Sequence, residues 1–355
     1  MRLQLIAALV VLLPATGATA QVDDRESGEG KLDSEVALYA DDDATTVITT
    51  LVAADLRLPA PVVVDAHALI DAVSSASVDV VSAATPRWTE NRIELGAKAQ
   101  ARLARLDLVL GYVSSGENDW RSHGIALGVG KDLADDNTTI RAGYGYTTNR
   151  IGRARDPVFE KTLDVHGAEL SLAQVIGPST LASLAYTVQR SDGYHASPYR
   201  YVMTTGGGAG PEVHPSGRTR HAITGRLLRA LGPTTTVDAS YRAYVDGWGV
   251  SSHTAQLALT RELGDALDLR VRARGYYQDA ADFYQESYAA PMRYMSADRE
   301  LSTFWDAGGG LKLAWYGEAI EIGVKIDGSY YRFLDFGRLG GRVAVVTGGG
   351  ITWRW

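Results

Sequence analysis

The sequence predicts an all-β protein: a transmembrane, antiparallel, up-and-down β-barrel of 16 strands. Three observations predict this fold: segments of about ten residues that alternate between apolar and polar side chains, turns that alternate between short and long, and an aromatic chain end. Alternation with a period of two residues is typical of strands, because helical spacing would spread the charged residues over every side. A soluble sandwich also alternates, but it does not require hairpins that are tight at one end and long at the other.

The first 20 residues have the features of a cleavable secretory signal. Arg2 supplies a positive start, residues 5–13 form an apolar stretch, and Ala-Thr-Ala at 18–20 offers a small-residue cleavage site, so we predict cleavage after Ala20. Residues 21–33 are polar, contain glycine and lack a period, which indicates a flexible periplasmic tether. The barrel is then expected over residues 34–355 in the outer membrane.

Composition narrows the functional classes. The chain contains no cysteine, which excludes thiolate catalysis, disulfide bonds and cysteine-ligated metals. A net charge of −7 argues against nucleic-acid binding, which needs a basic face. The 38 glycines and 18 tyrosines suit a barrel wall, because glycine eases curvature and tyrosine anchors a barrel at the membrane interface.

The alternation assigns one face of each strand to the lumen. Near residue 270, for example, Leu269, Val271 and Ala273 share a face that we assign to lipid. A lumen with mixed charges either favours small hydrated solutes or anions, or it is closed by pairing of those charges, for instance with Glu169. The predicted lumen-lining residues are Arg141, Asp238, Arg242, Asp268, Arg270, Arg272, Arg274, Glu321, Lys325 and Asp327.

The turn signals give the strand count. Tight periplasmic turns are predicted near residues 58–61, 101–104, 133–137, 177–179, 232–234, 264–266 and 317–318. Longer outer connections are predicted at 70–90, 115–120, 149–161, 191–217, 246–251, 279–300 and 332–341. This interleaving gives 15 strands between residues 45 and 355, and residues 35–40 supply a sixteenth, because single-chain bacterial barrels have even strand numbers. Fourteen strands remain the alternative if residues 35–44 lie in the lumen and one neighbouring segment is not a strand.

The chain end predicts how the barrel is assembled. Trp355, Trp353 and Gly350 match the terminal strand that the outer-membrane assembly machinery recognises, although Gly348 stands where a polar residue is commoner. Such recognition is strand addition, in which an exposed edge pairs with the machinery and the side chains set the register. An ordinary final strand is the alternative interpretation.

Two stretches resemble a bacterial outer-membrane β-barrel family that is catalogued as domain of unknown function 3570. The first comprises residues 34–43, 64–66 and 71–85, and the second is Tyr-Tyr-Arg-Phe-Leu-Asp-Phe at 330–336. The resemblance implies a barrel over essentially the whole mature chain. Through thioredoxin-like proteins encoded beside family members, it also implies a possible link to envelope redox partners.

Candidate chemistry outside the lumen is sparse. The acids at residues 41–43 form either a solvated turn or a calcium-binding cluster, and the solvated turn is favoured because the spacing of a calcium loop is missing. Residues 71–85 either extend a hairpin or fold inward as a constriction. His195 and His214, with Asp192 and Glu212, could form a hydrolytic site above the rim, but no motif supports it. The long loops also concentrate tyrosines that could grip a ligand: Tyr194, Tyr199, Tyr201, Tyr284, Tyr288 and Tyr294.

These observations predict a non-enzymatic outer-membrane barrel that acts as a channel for small solutes or as a scaffold for envelope partners. The alternatives are a structural barrel with a plugged lumen and an outer-membrane enzyme with a rim active site. We predict no catalytic, cofactor-binding or metal-binding residues. The expected partners are outer-membrane lipids, lipopolysaccharide and the barrel assembly machinery, with a small solute or an envelope protein as a further partner.

Overall fold

The computed structural model describes residues 28–59, 61–75 and 88–355. The predicted signal at 1–20 and the start of the predicted tether lie outside the described residues. Within the described part, 16 long antiparallel strands form a closed barrel. They are β1 (Gly30–Asp41), β2 (Thr45–Arg57), β3 (Val62–Ser75), β4 (Trp88–Leu103), β5 (Leu106–Gly116), β6 (Trp120–Leu133), β7 (Thr138–Arg153), β8 (Asp156–Gly177), β9 (Thr180–Gly193), β12 (Gly217–Ala230), β13 (Thr235–Asp246), β14 (Ser251–Glu262), β15 (Leu267–Gln278), β17 (Phe304–Tyr316), β18 (Ile320–Phe333) and β19 (Gly341–Arg354).

Three short strands lie outside the barrel and form a separate sheet: β10 (Tyr201–Thr204), β11 (Ala209–Pro211) and β16 (Ser287–Tyr288). A single 3₁₀ turn, η1 (Arg299–Leu301), follows them. No helix in the described chain has the length and apolar character that crossing a bilayer demands.

The barrel closes between its first and last strands. β1 pairs with β19 from Lys31 opposite Arg354 to Asp41 opposite Ala344, which leaves no open sheet edge. The predicted count of 16 strands is therefore confirmed. The first strand is longer than the predicted residues 35–40, and the tether boundary at residue 33 needs correction. Residues 31–33 belong to the barrel because they pair with both β2 and β19.

The connections differ between the two ends of the barrel. We call the end that holds Gly30 and Trp355 the turn end, and the opposite end the loop end. At the turn end the connections are residues 58–61, 104–105, 134–137, 178–179, 231–234, 263–266 and 317–319. At the loop end they are 42–44, 76–87, 117–119, 154–155, 194–216, 247–250, 279–303 and 334–340, of which 76–87 lies outside the described residues.

The predicted strict alternation of short and long connections fails at the β7–β8 hairpin. The predicted loop at 149–161 is strand except for residues 154–155. A two-residue turn forms because Arg155 adopts a φ of 64°, and an ion pair between Arg153 and Asp156 closes the hairpin. The loop-end connections 42–44, 117–119 and 247–250 are also short, so long loops occur at only some of the hairpins described.

The apolar side chains of the strands point away from the barrel axis. Along β6, exposed and buried residues alternate without interruption from Arg121 to Leu133. The exposed apolar side chains on this outer face include Ile48, Leu110, Leu127, Leu170, Leu257 and Ile326. This is the arrangement of a barrel whose outside faces lipid and whose inside is polar. The clusters of buried apolar side chains are concentrated at the loop end.

Candidate functional site: the lumen and its cap

All ten predicted lumen residues lie on the face opposite the apolar belt. The strand registers place Arg272 opposite Gly310 and Ala258, and they place Asp327 opposite Gly310 as well. Leu257, Leu259 and Val271, which neighbour these positions, are exposed on the outer face. These ten residues therefore share the face that points away from the apolar belt, and the structure adds the partners of each.

The arginine ladder on β15 is neutralised by acids on other strands. Arg270 crosses β14 to reach Asp238 on β13, at 2.9 Å. Arg226 holds the same carboxylate through two hydrogen bonds of 2.8 Å each. Arg272 reaches across β17 to Asp327 on β18, and Arg274 pairs with Asp306 on β17. The arginines of this ladder are therefore ion-paired and do not form a row of unpaired cations.

Glycines on the intervening strands make room for two of the pairs that cross a strand, Arg272–Asp327 and Lys325–Glu35. A Cβ atom on Gly310 would lie 1.7 Å from an oxygen of Asp327, which leaves no space for any side chain. Gly348 lies in the same way beneath Lys325, which pairs with Glu35 two strands away. Gly348, which departs from the usual terminal motif, thus has a structural reason: Lys325 passes directly over it.

The four remaining predicted residues have varied surroundings. Arg242 lies over the ring of Tyr244, 5.5 Å from its centroid. Glu321 pairs with Arg354 at 2.7 Å near the turn end. Arg141 packs against Gly130, whose Cβ would lie 3.2 Å from the Arg141 Cγ. Asp268 lies opposite Glu262 and Ala314 at the turn end of β15.

The lumen has two contrasting walls. We call the lumen face of β12–β15, β17 and β18 the arginine wall, because it carries the ion pairs just described. The opposite face, on β5–β9, we call the small-residue wall, because glycine, alanine, serine and threonine fill most of its positions. Gly124, Gly128, Ala126, Thr147 and Ala185 are typical members. Side chains of this size leave space in front of the wall.

The ion-paired arginines of the ladder remain in contact with solvent. The side chains of Arg270, Arg272 and Arg274 are 34%, 40% and 36% exposed although each has an acidic partner. In a lumen packed solid, such side chains would be buried. Space accessible to water therefore remains beside the arginine wall.

At the loop end, two long loops fold together into one structure. Residues 194–216 and 279–303 are joined by parallel pairing of β10 with β16 and by a bridge between Val213 and Met295. Their shared apolar core consists of Val202, Tyr288, Met295 and Ala297. We call these two loops together the cap. Ordered loops of this length are usually functional.

Buried charges join the two loops of the cap. Arg200 on the first loop pairs with Asp298 on the second at 2.6 Å and with Glu212 at 3.3 Å. Ser296 donates a hydrogen bond of 2.8 Å to Glu212. Burial raises the pKa of Glu212, while Arg200 opposes this. Burial would also raise the pKa of Asp298, but Arg200 and the Glu300 N–H hold it below its ordinary value.

The two loop histidines meet at one tryptophan. His195 and His214 contact Trp248 edge-on, with ring centroids 5.2 and 5.3 Å from its own. The Trp248 indole N–H donates to the Gly217 carbonyl, and Arg218 lies over the ring at 4.2 Å. Trp248 belongs to the 247–250 connection and is nearly fully buried. It is therefore the point at which the cap attaches to the arginine wall.

Both histidines are held neutral inside the cap. Burial, reinforced by the positive charge of Arg220, lowers the pKa of His195 to about 4. Burial lowers the pKa of His214 to about 4 as well, although the negative charge of Asp298 opposes this. The His214 side chain is only 1% exposed and lies 3.7 Å from Glu212. Asp192, the other acid of the predicted hydrolytic site, pairs instead with Arg190.

Arg299 is the second attachment point of the cap. Its side chain is fully buried and pairs with Asp43 in the turn between β1 and β2. Its guanidinium also lies 5.6 Å from the ring centroid of Phe333. Phe304, Phe333 and Phe336 form an apolar cluster there. Sequence reasoning missed Arg299, because nothing in its local pattern distinguishes it from a solvated loop arginine.

The acids at residues 41–43 form more than the solvated turn that the sequence favoured, because Asp42 is exposed but Asp43 is buried. Asp41 accepts a hydrogen bond from the Thr45 N–H at 2.8 Å, and Asp42 accepts one from the Val343 N–H at 2.9 Å. Asp43 is buried against Arg299. The three carboxylates instead fasten this turn to itself, to β19 and to the cap.

The cap also touches the rim above the small-residue wall. The Tyr199 hydroxyl donates to Asp119 in the β5–β6 connection, and it accepts a hydrogen bond from the Ala154 N–H. The carboxylates of Glu90, Glu117 and Asp119 approach within 4.8 Å of one another at this rim, which is geometry that could hold a cation. No sequence pattern indicated this group, because its members come from two separate loop-end segments.

The six tyrosines predicted to grip a ligand differ in exposure. Tyr284 and Tyr288 are buried in the cap, where they support its fold. Tyr199 and Tyr201 are exposed, at 39% and 46%, whereas Tyr194 and Tyr294 are half-buried. Tyr199 and Tyr201 are therefore the most accessible of the six for contacts outside the cap.

The terminal motif lies in a fully paired strand. Trp353 is exposed on the outer face, and its ring centroid is 4.9 Å from that of Trp355. Gly350 pairs with Glu35 and with Gly323, so β19 joins strands on both sides.

Known structures share this fold. A solved bacterial polysaccharide outer membrane secretin is similar over 93% of this chain and 100% of its own, with a TM-score of 0.54 at 12% identity. CdiB from Acinetobacter baumannii is similar over 92% of this chain and 60% of its own, with a TM-score of 0.53 at 9% identity. At such low identity, the similarity shows the fold alone, a barrel of the outer-membrane type.

The siderophore receptor PirA from Pseudomonas aeruginosa also aligns, over 87% of this chain, with a TM-score of 0.47 at 12% identity. The chain covers 57% of that receptor's length. No curated protein sequence matches the chain.

A family match covers most of the sequence. Residues 78–165 and 153–334 match the family described as "Protein of unknown function (DUF3570)". The resemblance inferred from residues 330–336 falls at the end of this match, whereas residues 34–43 and 64–66 precede it. Because the matched residues make up more than half of the 355, the chain belongs to the DUF3570 family.

Proposed function

We propose that the protein is a non-enzymatic outer-membrane channel for small hydrated solutes, with a loop-end mouth that the cap narrows. The observation that carries this proposal is the exposure of the ladder arginines inside the barrel, at 34–40%. Paired charges with water beside them create a polar path without a large net field. The small-residue wall supports the same proposal, because it leaves space opposite the arginines.

The cap sets the width of the mouth in this proposal. It is attached to the arginine wall through Trp248 and Arg299, and it reaches the opposite rim through Tyr199. An ordered loop that crosses a barrel mouth limits the size of the solute that can enter.

The absence of enzyme chemistry is part of the proposal. The Ser191 hydroxyl lies 2.8 Å from Nε2 of His195, as in a pairing of a nucleophile with its base. However, Ser191 is only 1% exposed, and Arg220 donates to the same hydroxyl at 3.1 Å. A substrate could not approach this oxygen while the cap is in place, which favours a structural role for the pair.

Delivery to the membrane follows from the sequence features already described. We propose that the signal is cleaved after Ala20 and that the assembly machinery recognises Gly350, Trp353 and Trp355 in the last strand. Mass spectrometry of the mature N-terminus tests the cleavage. A Trp355→Ala variant that still inserts at the wild-type rate would refute the assembly signal.

Single-channel conductance in a planar bilayer tests the channel. We expect discrete, ohmic openings from the purified protein, and no conductance at any voltage would refute the proposal. Thr187→Trp places a large ring on the small-residue wall and should lower the conductance. Leu184→Trp is the matched control, because Leu184 is 51% exposed on the outer face of the same strand. Equal conductance in both variants would contradict a path along this wall.

A second function, as a scaffold for an envelope partner, is favoured by the exposed apolar side chains of the cap. Tyr201, Met203, Val213 and Met292 are 46%, 45%, 40% and 55% exposed. Tyrosine and methionine are enriched where proteins bind partners. Cross-linking through a photoreactive residue at Met203 in intact cells tests this function, and the absence of any cross-linked envelope protein would reject it.

A further inference from the structure

Four identical tyrosine–histidine pairs run around part of the outer face. In each pair, a tyrosine hydroxyl lies 2.7–2.9 Å from Nδ1 of a histidine on the next barrel strand. We call these pairs the tyrosine–histidine belt. They are Tyr112–His123, Tyr144–His166, Tyr186–His221 and Tyr241–His253.

The belt repeats one geometry at one level. Each tyrosine lies on a strand that rises to the loop end, and each histidine precedes the tyrosine's direct partner by two residues. Tyr112, for example, lies opposite Ile125, and its histidine is His123. Tyr330 occupies a similar outward position on β18, but Gly341 replaces the histidine there. Interfacial aromatic residues mark the headgroup level of a barrel, so the belt indicates this level.

The charges on β6 give the same depth. Arg121 and Lys131 are both exposed on the outer face and enclose the apolar residues Ile125, Leu127 and Val129. Ten residues of strand at about 3.3 Å each, tilted by about 40°, span about 25 Å along the barrel axis. This matches the height of the apolar band in outer-membrane barrels, so Arg121 lies at the loop-end boundary of the membrane.

Two arginines face each other at this boundary. Arg121 on β6 lies directly opposite Arg150 on β7, and both side chains are exposed on the outer face. Neither makes an ion pair with any described residue. Like charges in directly opposed positions are destabilising, and an anion between them removes the repulsion.

His123 adds a hydrogen-bond donor to the same place. It lies two residues from Arg121 on the same face of β6, opposite Thr148. The Tyr112 hydroxyl, 2.9 Å from Nδ1, can donate to that nitrogen, which leaves the proton of the neutral ring on Nε2. The imidazole therefore offers an N–H at the headgroup level.

Nearby outward charges show why this place differs from the rest of the rim. Arg190 on β9 is at the same level, opposite His166, but Asp192 already neutralises it. Asp164 on β8, which lies opposite Thr148 of β7, accepts a hydrogen bond of 2.9 Å from the Tyr146 hydroxyl. Unlike Arg190, Arg121 and Arg150 thus make no ion pair with a described residue, although the Asp164 carboxylate lies on the neighbouring strand.

We propose that Arg121 and Arg150, assisted by Nε2 of His123, bind a phosphate group of a phosphorylated glycolipid in the outer leaflet. The two guanidinium groups supply charge and paired donors for phosphate oxygens. The acyl chains of the same lipid lie against Ile125 and its apolar neighbours below. This inference rests on outer-membrane insertion, which is part of the proposed function.

Native mass spectrometry of the intact barrel in detergent tests the site, with bisphosphorylated lipid A as the probe. We expect the wild-type protein to retain lipid A, and the Arg121→Ala/Arg150→Ala variant to bind it about tenfold more weakly. Arg190→Ala is the matched control and should bind like the wild type. Equal binding by the double variant would overturn the proposal.

Two further probes identify the source of the phosphate. Lipid A without its phosphates should bind the wild-type protein as weakly as the double variant binds lipid A. Inorganic phosphate at the same concentration should bind weakly, because it makes no contact with the apolar belt. Wild-type binding of dephosphorylated lipid A, or tight binding of inorganic phosphate, would contradict a lipid headgroup site.

The channel and the lipid site can fail independently. Conductance of the double variant should equal that of the wild type, because both arginines lie outside the lumen. Loss of lipid binding in a conducting barrel would confirm the site without affecting the channel. Unchanged lipid binding by the double variant in a conducting barrel would refute only the lipid site.

Discussion

The two walls of the lumen differ in the side chains that they turn toward the interior of the barrel. The arginine wall carries long charged side chains that reach across neighbouring strands, as Arg272 does to Asp327. The small-residue wall carries few such charges, since residues such as Gly124 and Ala126 have no polar side-chain group that needs water or a hydrogen-bond partner. One wall is therefore rigidified by ion pairs, while the other leaves volume. Together they give a lumen that is polar, nearly balanced in charge along the ladder, and not filled.

The attachment of the cap also differs between the two sides of the barrel. On the side of the arginine wall it is attached through buried groups, Trp248 against Arg218 and Arg299 against Asp43. Above the small-residue wall, its contacts are the exposed Tyr199 hydroxyl, a hydrogen bond from the Tyr194 N–H to the Thr162 carbonyl, and the Tyr194 ring against Phe159, none of which is a buried ion pair. A structure held firmly on one side and weakly on the other is expected to open from the weak side. Four predictions test this comparison, in order of decreasing effect.

Removal of the buried cap anchor should have the largest effect. Arg299→Ala leaves Asp43 buried without its guanidinium partner, and breaking a buried ion pair in this way costs about 3–5 kcal/mol. We expect amides of residues 280–301 to lose protection in hydrogen exchange and conductance to rise. Arg338→Ala is the control, because Arg338 is 37% exposed and pairs with Glu286 at the surface. Unchanged protection in Arg299→Ala would show that the cap is held elsewhere.

Acid should open the cap. His195 and His214 have pKa values of about 4 in the folded cap, against 6.5 when exposed, so the open loops bind more protons between these values. Their contribution to cap stability is complete above about pH 6.5 and is lost as the pH falls toward 4. The lowered pKa of Asp298 acts in the same direction, and the raised pKa of Glu212 acts against it.

Conductance measured between pH 7 and pH 4 tests this expectation. The charged groups that face the two imidazoles are Asp192, Arg200, Glu212, Arg218, Arg220 and Asp298. A His195→Phe/His214→Phe variant should lose much of the acid response, whereas His253→Phe on the outer belt should keep it. A full response in the double variant would assign the effect to the carboxylates instead.

Opposite changes in the arginine wall should shift ion selectivity in opposite directions. Arg272→Ala/Arg274→Ala leaves Asp327 and Asp306 uncompensated and should favour cations. Asp306→Asn/Asp327→Asn should favour anions. An uncompensated charge at about 4 Å in water is worth about 1 kcal/mol, or about fivefold in local ion concentration. Reversal potentials in a salt gradient measure the shift, and equal selectivity in both variants would place these pairs away from the ion path.

We expect the weakest effect where the cap contacts the rim above the small-residue wall. Tyr199→Phe removes the exposed hydrogen bonds of one hydroxyl, which donates to Asp119 and accepts from the Ala154 N–H, so we expect a loss of about 1 kcal/mol. Hydrogen exchange of residues 195–213 measures it. A loss as large as that of Arg299→Ala would reverse the proposed asymmetry of the cap.

Most of the barrel could be predicted because its signals are local. Alternation along β15 predicted that Arg270, Arg272 and Arg274 share one face. The rule that single-chain barrels have even strand numbers predicted a first strand at residues 35–40, and this strand pairs with β19. The β7–β8 hairpin was predicted as a long loop because polar residues in a strand that projects beyond the barrel resemble loop residues. In that region no apolar belt is needed, so the alternation that identifies strands weakens.

The sequence by itself determined the fold class and the strand number, because the two-residue period of the strands and the positions of the turns can be read directly from the order of side chains. Only the tertiary structure decided which charges neutralise each other, since Arg272 and Asp327 are 55 residues apart in sequence and are brought together by the registers of β15, β17 and β18. The same holds for the cap. Arg299 pairs with Asp43, which is 256 residues away in sequence. A local sequence pattern cannot predict this contact, because the two loops come together only when the sheet has closed into a barrel.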